Sequence, residues 1–212
     1  RFRFGRDGGL LAQAGIFETS EVGGSTPAEY AAVLARGRPA LQGRFELWRT
    51  LGDHARVEIA PGFHASTTRL LGAAVPSRIG SVDWFVQPVS WADFTGMLFR
   101  GQNVAVLGST RQGFIVRNGV PRAVRSWGGW GQLTLRPSSR LSFNLFTGQQ
   151  DDRNADLLSG NVAKNLSFGG NAMYRLGPNV MAAFEAARIR TTWLGAGPRN
   201  FNHYDLALAY LF

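Results

Sequence analysis

The chain has 212 residues, a formal charge of +9, no cysteine and 44% hydrophobic residues. No shift of composition divides it, so residues 1–212 are read as a single domain. No window approaches the run of about 18 apolar residues that a membrane-spanning helix requires, which excludes a helical membrane protein. Only Lys164 among the 23 basic residues is lysine, and the arginines run along the whole chain instead of clustering with stacking aromatics. That spread argues against a nucleic-acid surface, and no nucleic-acid partner is predicted.

Period-two alternation of apolar and polar residues recurs from one end of the chain to the other and predicts about eleven strands. In chain order these are 1–5, 9–19, 41–47, 55–65, 77–88, 93–101, 123–136, 140–148, 162–176, 179–192 and 201–212. The opening "RFRF" reads as the last piece of a strand, which predicts further strands before it. Within 41–47, Leu41, Gly43, Phe45 and Leu47 face one way and Gln42, Arg44 and Glu46 the other. Between 20 and 40, Thr26-Pro-Ala-Glu29 has the form of a capping box with proline at the first helical position, and it predicts a short helix over 30–37 ended by Gly37. The segment 102–122 carries two apolar pieces, 104–107 and 114–116, which predict either a loop folded into the interior or a hairpin standing above the sheet.

Connections are expected to alternate between tight turns at 6–9, 51–53, 89–91, 137–139 and 177–178 and longer ones at 20–40, 66–76, 102–122, 149–161 and 193–200. Outer-membrane barrels have short turns at one rim and long loops at the other. One predicted face carries Leu133, Leu135, Leu141, Phe143, Leu145, Leu166, Phe168, Val180 and Phe184. The other carries Gln132, Thr134, Arg136, Ser142, Asn144, Ser167 and Asn171. Trp48, Trp84, Trp91, Tyr174, Trp193, Tyr204 and Tyr210 fall near predicted strand ends, where aromatic girdles sit at membrane interfaces. The fold class expected is therefore all-β, a transmembrane antiparallel up-and-down β-barrel belonging to a larger even-numbered barrel of about 16 strands.

The chain ends in "YDLALAYLF", with Tyr204, Leu206, Leu208, Tyr210 and Phe212 on one face. This strand resembles the C-terminal strand of Gram-negative outer-membrane proteins, and with "WADFTGMLFRGQN" the chain is loosely similar to DcaP-type and related trimeric porins. The resemblance implies bacterial outer-membrane localisation, a terminal signal read by the barrel-assembly machinery, contact with outer-membrane lipid and lipopolysaccharide, and a homotrimer. It also implies diffusion of small hydrophilic solutes, with a preference for small organic anions.

Arg44, Arg56, Arg100, Arg136 and Arg175, with Glu46, Glu58 and Asp205, are expected to line the pore. Basic rings favour anions, and opposed basic and acidic ladders make a paired wall with a transverse field. No enzyme and no cofactor is predicted. The alternative is a barrel hydrolase, since His64 and Ser66 share one face near a rim, or a structural barrel that scaffolds an envelope complex. Asp152, Asn154 and Asp156 have the spacing that begins a calcium loop, but Leu157 stands where that loop needs glycine and Ala163 where it needs glutamate. They read first as a solvated acidic loop, with a surface cation or lipopolysaccharide bridge as the alternative.

Overall fold

The structure is a computed structural model and describes residues 2–4, 7–20, 28–107 and 112–210. Thr26 and Pro27 of the expected helix cap and the terminal Phe212 lie outside these residues. The strands are β1 (Phe2–Phe4), β2 (Gly8–Thr19), β3 (Arg38–Leu51), β4 (Ala55–Leu70), β5 (Ala73–Val89), β6 (Ala92–Gln102), β7 (Phe114–Arg117) and β8 (Val120–Ala123). They continue with β9 (Arg125–Leu135), β10 (Leu141–Asp152), β11 (Val162–Arg175), β12 (Val180–Trp193) and β13 (Gly197–Tyr210). All except β7 and β8 form one antiparallel up-and-down sheet of 11 strands in sequence order, with β1 and β13 at its edges; β7 and β8 form a separate hairpin.

Register fixes the two faces. Leu145 pairs with Leu133 on one side and Gly170 on the other, Phe143 with Leu135 and Ala172, and Phe184 with Ala172 and Leu206. The same face continues through Phe94, Val86 and Val57 in one row and through Trp84, Ile59 and Leu47 in the next. Its large side chains are exposed: Leu47 55%, Leu145 56%, Leu206 84% and Leu208 74%. The opposite face is polar and largely covered, with Ser77 at 0%, Asp152 at 2%, His64 at 4% and Asn144 at 7% exposure. A soluble sandwich or barrel distributes these groups the other way round. Here one face exposes most of its large apolar side chains, and short segments of the chain fold over part of the other, with the β7–β8 hairpin against β5 and the helical turn against β4.

One rim carries the short connections 52–54, 90–91, 136–140 and 176–179, and β13 ends there at Tyr210. At the other rim 20–37, 103–124 and 153–161 are long. Two connections expected to be long are tight. β4 and β5 extend into residues 66–76 and meet at a two-residue turn in which Leu71 and Gly72 both have positive φ, 50° and 78°. Such a primed turn matches the twist of the strands it joins, so the pairing runs on to Leu70 and Ala73. Likewise β12 and β13 are joined by 194–196 alone.

The helix expected over 30–37 is shorter: Ala28–Tyr30 form a 3₁₀ turn and α1 spans Ala31–Leu34. Leu34 is fully buried, and α1 contacts β4, so this helix packs on the wall of its own chain. Of the aromatics expected at strand ends, Trp84, Tyr174, Tyr204 and Tyr210 lie on the apolar face and Trp91 in a turn. Trp48 and Trp193 are corrections. Register puts Trp48 opposite Glu58, and Trp193 opposite Gly197 in the polar set, where Arg56 and Arg199 stack on the two rings.

Candidate functional site

The polar face holds three hydrogen-bonded networks. In the first, Arg44 on β3 reaches across β4 to Asp83 on β5, with Nε and Nη2 donating to the two carboxylate oxygens at 3.1 and 2.6 Å. Its Nη1 donates to Glu46 at 2.5 Å. The reach is open because β4 presents Gly62 and Ala60 between the partners: Gly62 is the register partner of Arg44, and Ala60 that of Asp83. A bidentate guanidinium–carboxylate pair of this kind fixes geometry as well as charge.

The second network is one row across the sheet. Thr134 donates to Asn144 Oδ1 at 2.8 Å, Asn144 Nδ2 donates to Asn171 Oδ1 at 2.6 Å, and Asn171 Nδ2 donates to Glu185 at 3.1 Å. Each is the cross-strand partner of the next, and Glu185 faces Asp205 in the same row. Glu185, His203 and Asp205 have ligand atoms within 4.8 Å of one another, the one such group among the described residues. It is already half-satisfied internally, since His203 Nε2 and Asp205 Oδ2 are 2.5 Å apart.

The third network anchors the segment between β6 and β9. The chain leaves β6 at Asn103, which is buried and has a φ of 53°. From there it folds across the polar face: the Asn103 carbonyl accepts from Ser77 Oγ at 3.0 Å, and its N–H donates to Val124 at 2.9 Å. At the far side of the segment, Gln112 Nε2 donates to the Val162 carbonyl at 2.5 Å and to Asp152 at 3.4 Å. Asp152 also accepts from Ser126 Oγ at 2.5 Å and Gln150 Nε2 at 2.9 Å. Ile115 and Val124 pack with Leu157 and Ala163 into a small apolar cluster. Elements of both arrangements expected for 102–122 are found: Asn103 and Val104 sit against the polar face, and 114–123 form the β7–β8 hairpin at the rim of the long connections. Val104 borders a cavity of about 730 Å³, lined among others by Gln13, Arg44, His64, Asp83 and Phe99.

The expected pore-lining residues divide by register. Arg44, Glu46, Arg56, Glu58, Arg136, Arg175 and Asp205 all lie on the polar face. Arg56 pairs with Glu58 and Arg136 with Asp93, so Arg44, Arg56 and Arg136 each have a carboxylate partner. Arg100 is a correction: it pairs with Gly80 and Trp127 and shares the face of Leu98. The alternation of β6 misleads there because both faces are apolar, with Met97 and Phe99 on the polar side of the sheet facing the cavity.

Asp152, Asn154 and Asp156 are not brought together as a calcium site. Asp152 is spent on the three donors just named, and Asp156 takes Arg125 Nε and Nη2 at 2.7 and 2.6 Å. This ion pair holds the Asp156 carboxyl below the usual aspartate range. A depressed folded value contributes stability that is present above the unfolded value, near 3.9, and is lost as pH falls through the folded one. Protection of the amides in 153–160, taken relative to the intrinsic exchange rate at each pH, is therefore expected to hold from neutral pH down to about pH 4 and to fall below it; Asp156→Asn should abolish that acid step.

Sequence reasoning missed Asp93 and the anchoring role of Asp152, whereas a hairpin in 102–122 was one of the two arrangements expected. The hairpin had a signal: Asn118-Gly119, which take φ values of 53° and 74°, flanked by apolar residues. No family model matches the chain, and no curated protein is detectably similar to it.

Proposed function

We propose that this sheet is the wall of an outer-membrane β-barrel whose polar face lines a diffusion pore for small hydrophilic solutes. The observation that carries the reading is the contrast between the two faces: most of the large apolar side chains of one face are exposed, while the other holds buried His64, Ser66, Ser77, Asn144 and Asp152 beside apolar residues such as Ala60 and Val75. Monomeric soluble proteins rarely expose apolar patches beyond a few hundred Å², whereas lipid is a suitable partner for such a face. Strand lengths fit, since the sheet strands other than β1 have 11 to 17 residues against the roughly 9–11 that cross a bilayer.

Parity limits how such a sheet could close. In an up-and-down sheet of 11 strands the two edge strands run parallel, so an antiparallel barrel needs an odd number of further strands between β1 and β13. A barrel of about 16 meets that condition. In this reading "YDLALAY" on β13 faces lipid and serves the assembly machinery, and the trimer implied by the resemblance covers part of the apolar wall. Inside, the Arg44–Asp83–Glu46, Arg56–Glu58 and Arg136–Asp93 pairs give a transverse field, with the excess of arginine favouring small organic anions.

The hydrolase alternative has one observation in its favour. His64 Nε2 is 3.1 Å from Ser66 Oγ, and Gln42 Nε2 sits 3.1 Å from the other ring nitrogen. Ser66 is only 8% exposed, so attack on a substrate would require the groups that cover it to move. Single-channel recording in a planar bilayer tests the pore reading. Stable open steps, with a reversal potential displaced towards chloride that shrinks in Arg44→Gln, are expected. A folded, inserted protein without conductance would refute the pore, and loss of an esterase activity in Ser66→Ala would support the alternative.

A further inference from the structure

The apolar face does not stay apolar to its upper end. On strand after strand its outward residues change to a cation as they approach the rim of the long connections. On β5 Val86, Trp84 and Val82 lead through Gly80 to Arg78; on β6 Phe94 and Leu98 lead to Arg100; on β9 Leu133 and Trp127 lead to Arg125. On β11 Phe168 and Leu166 lead to Lys164, and on β12 Phe184 and Ala186 lead to Arg188 and Arg190.

Three of these cations are close neighbours. Arg78 and Arg125 both pair in register with Gln102, one from each side, while Arg100 lies one row below between Gly80 and Trp127. A groove of about 1190 Å³ runs along this part of the sheet, lined among others by Arg78, Gly80, Leu98, Arg100, Arg125 and Trp127. Gly80 leaves its floor open, for a Cβ there would meet no atom within 4 Å. Two carboxylates stand nearby: Asp156 is held by Arg125, and Asp151 pairs with Lys164 at 3.4 Å. Among the described residues neither Arg78 nor Arg100 has a carboxylate within ion-pair distance.

We propose that Arg78, Arg100 and Arg125 form a docking surface for a lipid whose headgroup carries phosphate, with its acyl chains lying on the apolar band below. The inference rests on the lipid-facing reading of that band and adds the chemistry of the lipid that borders it. Exposed guanidinium groups at the boundary of an apolar surface match an anionic headgroup in charge and in level; the planar forks of Arg78 and Arg100 suit phosphate oxygens, while Arg125, whose fork is held by Asp156, borders the site. Val82, Leu98 and Trp127 beside the groove offer the first part of an acyl chain an apolar wall. The arrangement also accounts for Arg100, which has no place in the polar networks of the opposite face.

The test uses the protein folded in neutral detergent, with bisphosphorylated lipid A, the same lipid without its phosphates, and inorganic phosphate as probes, and bound lipid counted by native mass spectrometry. Lipid A is expected to bind and the phosphate-free form to bind weakly. The double variant R78Q/R100Q should weaken lipid A binding by about 30-fold, at the usual contribution of an arginine near an anionic surface. Neither side chain has an ion pair to lose, so folding is expected to be unchanged. Equal binding of the two lipids, an unaffected double variant, or displacement of lipid A by inorganic phosphate would each overturn the proposal. Flotation with phosphatidylcholine vesicles separates this failure from that of the wider reading: a protein that floats but shows no phosphate preference refutes the docking surface alone, and one that does not float refutes both.

Discussion

Replacement of residues 103–124 by Asn-Gly is expected to raise single-channel conductance several-fold. Gln102 and Arg125 are already register partners, so a two-residue primed turn joins β6 to β9 without disturbing the ladder. What is lost is the segment that crosses the polar face, including Val104 over the cavity and the β7–β8 hairpin. If the polar face is the wall of a pore, this segment narrows it, and its removal widens the conducting path. Some stability is lost as well, since Ile115 and Val124 leave the cluster they form with Leu157 and Ala163. Conductance of the folded replacement should therefore be read beside its melting curve. A folded replacement with unchanged conductance would show that the segment lies outside the conducting path.

Asp152→Ala is expected to be the most destabilising single substitution on the polar face. Asp152 is 2% exposed and accepts from Ser126, Gln150 and Gln112, side chains brought in by β9, β10 and the inserted segment. Removing the carboxylate leaves three buried donors to be satisfied elsewhere, at a cost of about 3 kcal/mol. Asp152→Asn keeps one acceptor oxygen and should cost roughly half as much. Guanidinium unfolding followed by tryptophan fluorescence checks both. Since Gln112 also ties the segment to Val162, the alanine variant should speed amide exchange in 112–124 before the rest of the sheet opens. An alanine variant as stable as the parent would mean that water serves these donors and that Asp152 is not the anchor of the segment.

The sheet was legible in the sequence because each strand carries a period of two and one face is nearly all large apolar residues. Leu141, Phe143 and Leu145 against Ser142 and Asn144 leave one register that keeps like with like. Lengths of connections were less legible. Residues 66–76 hold threonine, arginine and glycine, which read as loop, yet once Leu71 and Gly72 make the turn the cross-strand pairs Ser66–Ser77 and Thr68–Val75 are compatible with a continued ladder. Arg100 was assigned to the wrong face because Met97, Leu98 and Phe99 are apolar in succession, leaving charge as the only guide. Charge is a poor guide at a rim, where a cation suits either face. The anchor at Asp152 was visible as parity, since it shares the phase of Asn144 and Gln150, but its donors come from segments far apart in the chain. Only the folded chain brings Gln112, Ser126 and Asp152 together.

The central claim is that the apolar face meets lipid and the polar face meets water, and the absence of cysteine makes it directly measurable. Single cysteines at successive positions from 141 to 148 on β10, spin-labelled in the protein reconstituted into phospholipid vesicles, report accessibility to oxygen and to a water-soluble nickel reagent. High oxygen accessibility at 141, 143 and 145, alternating with high nickel accessibility at 142, 144 and 146, is the predicted result. Oxygen and nickel accessibilities that do not alternate, or that place nickel on the leucine and phenylalanine positions, would contradict it.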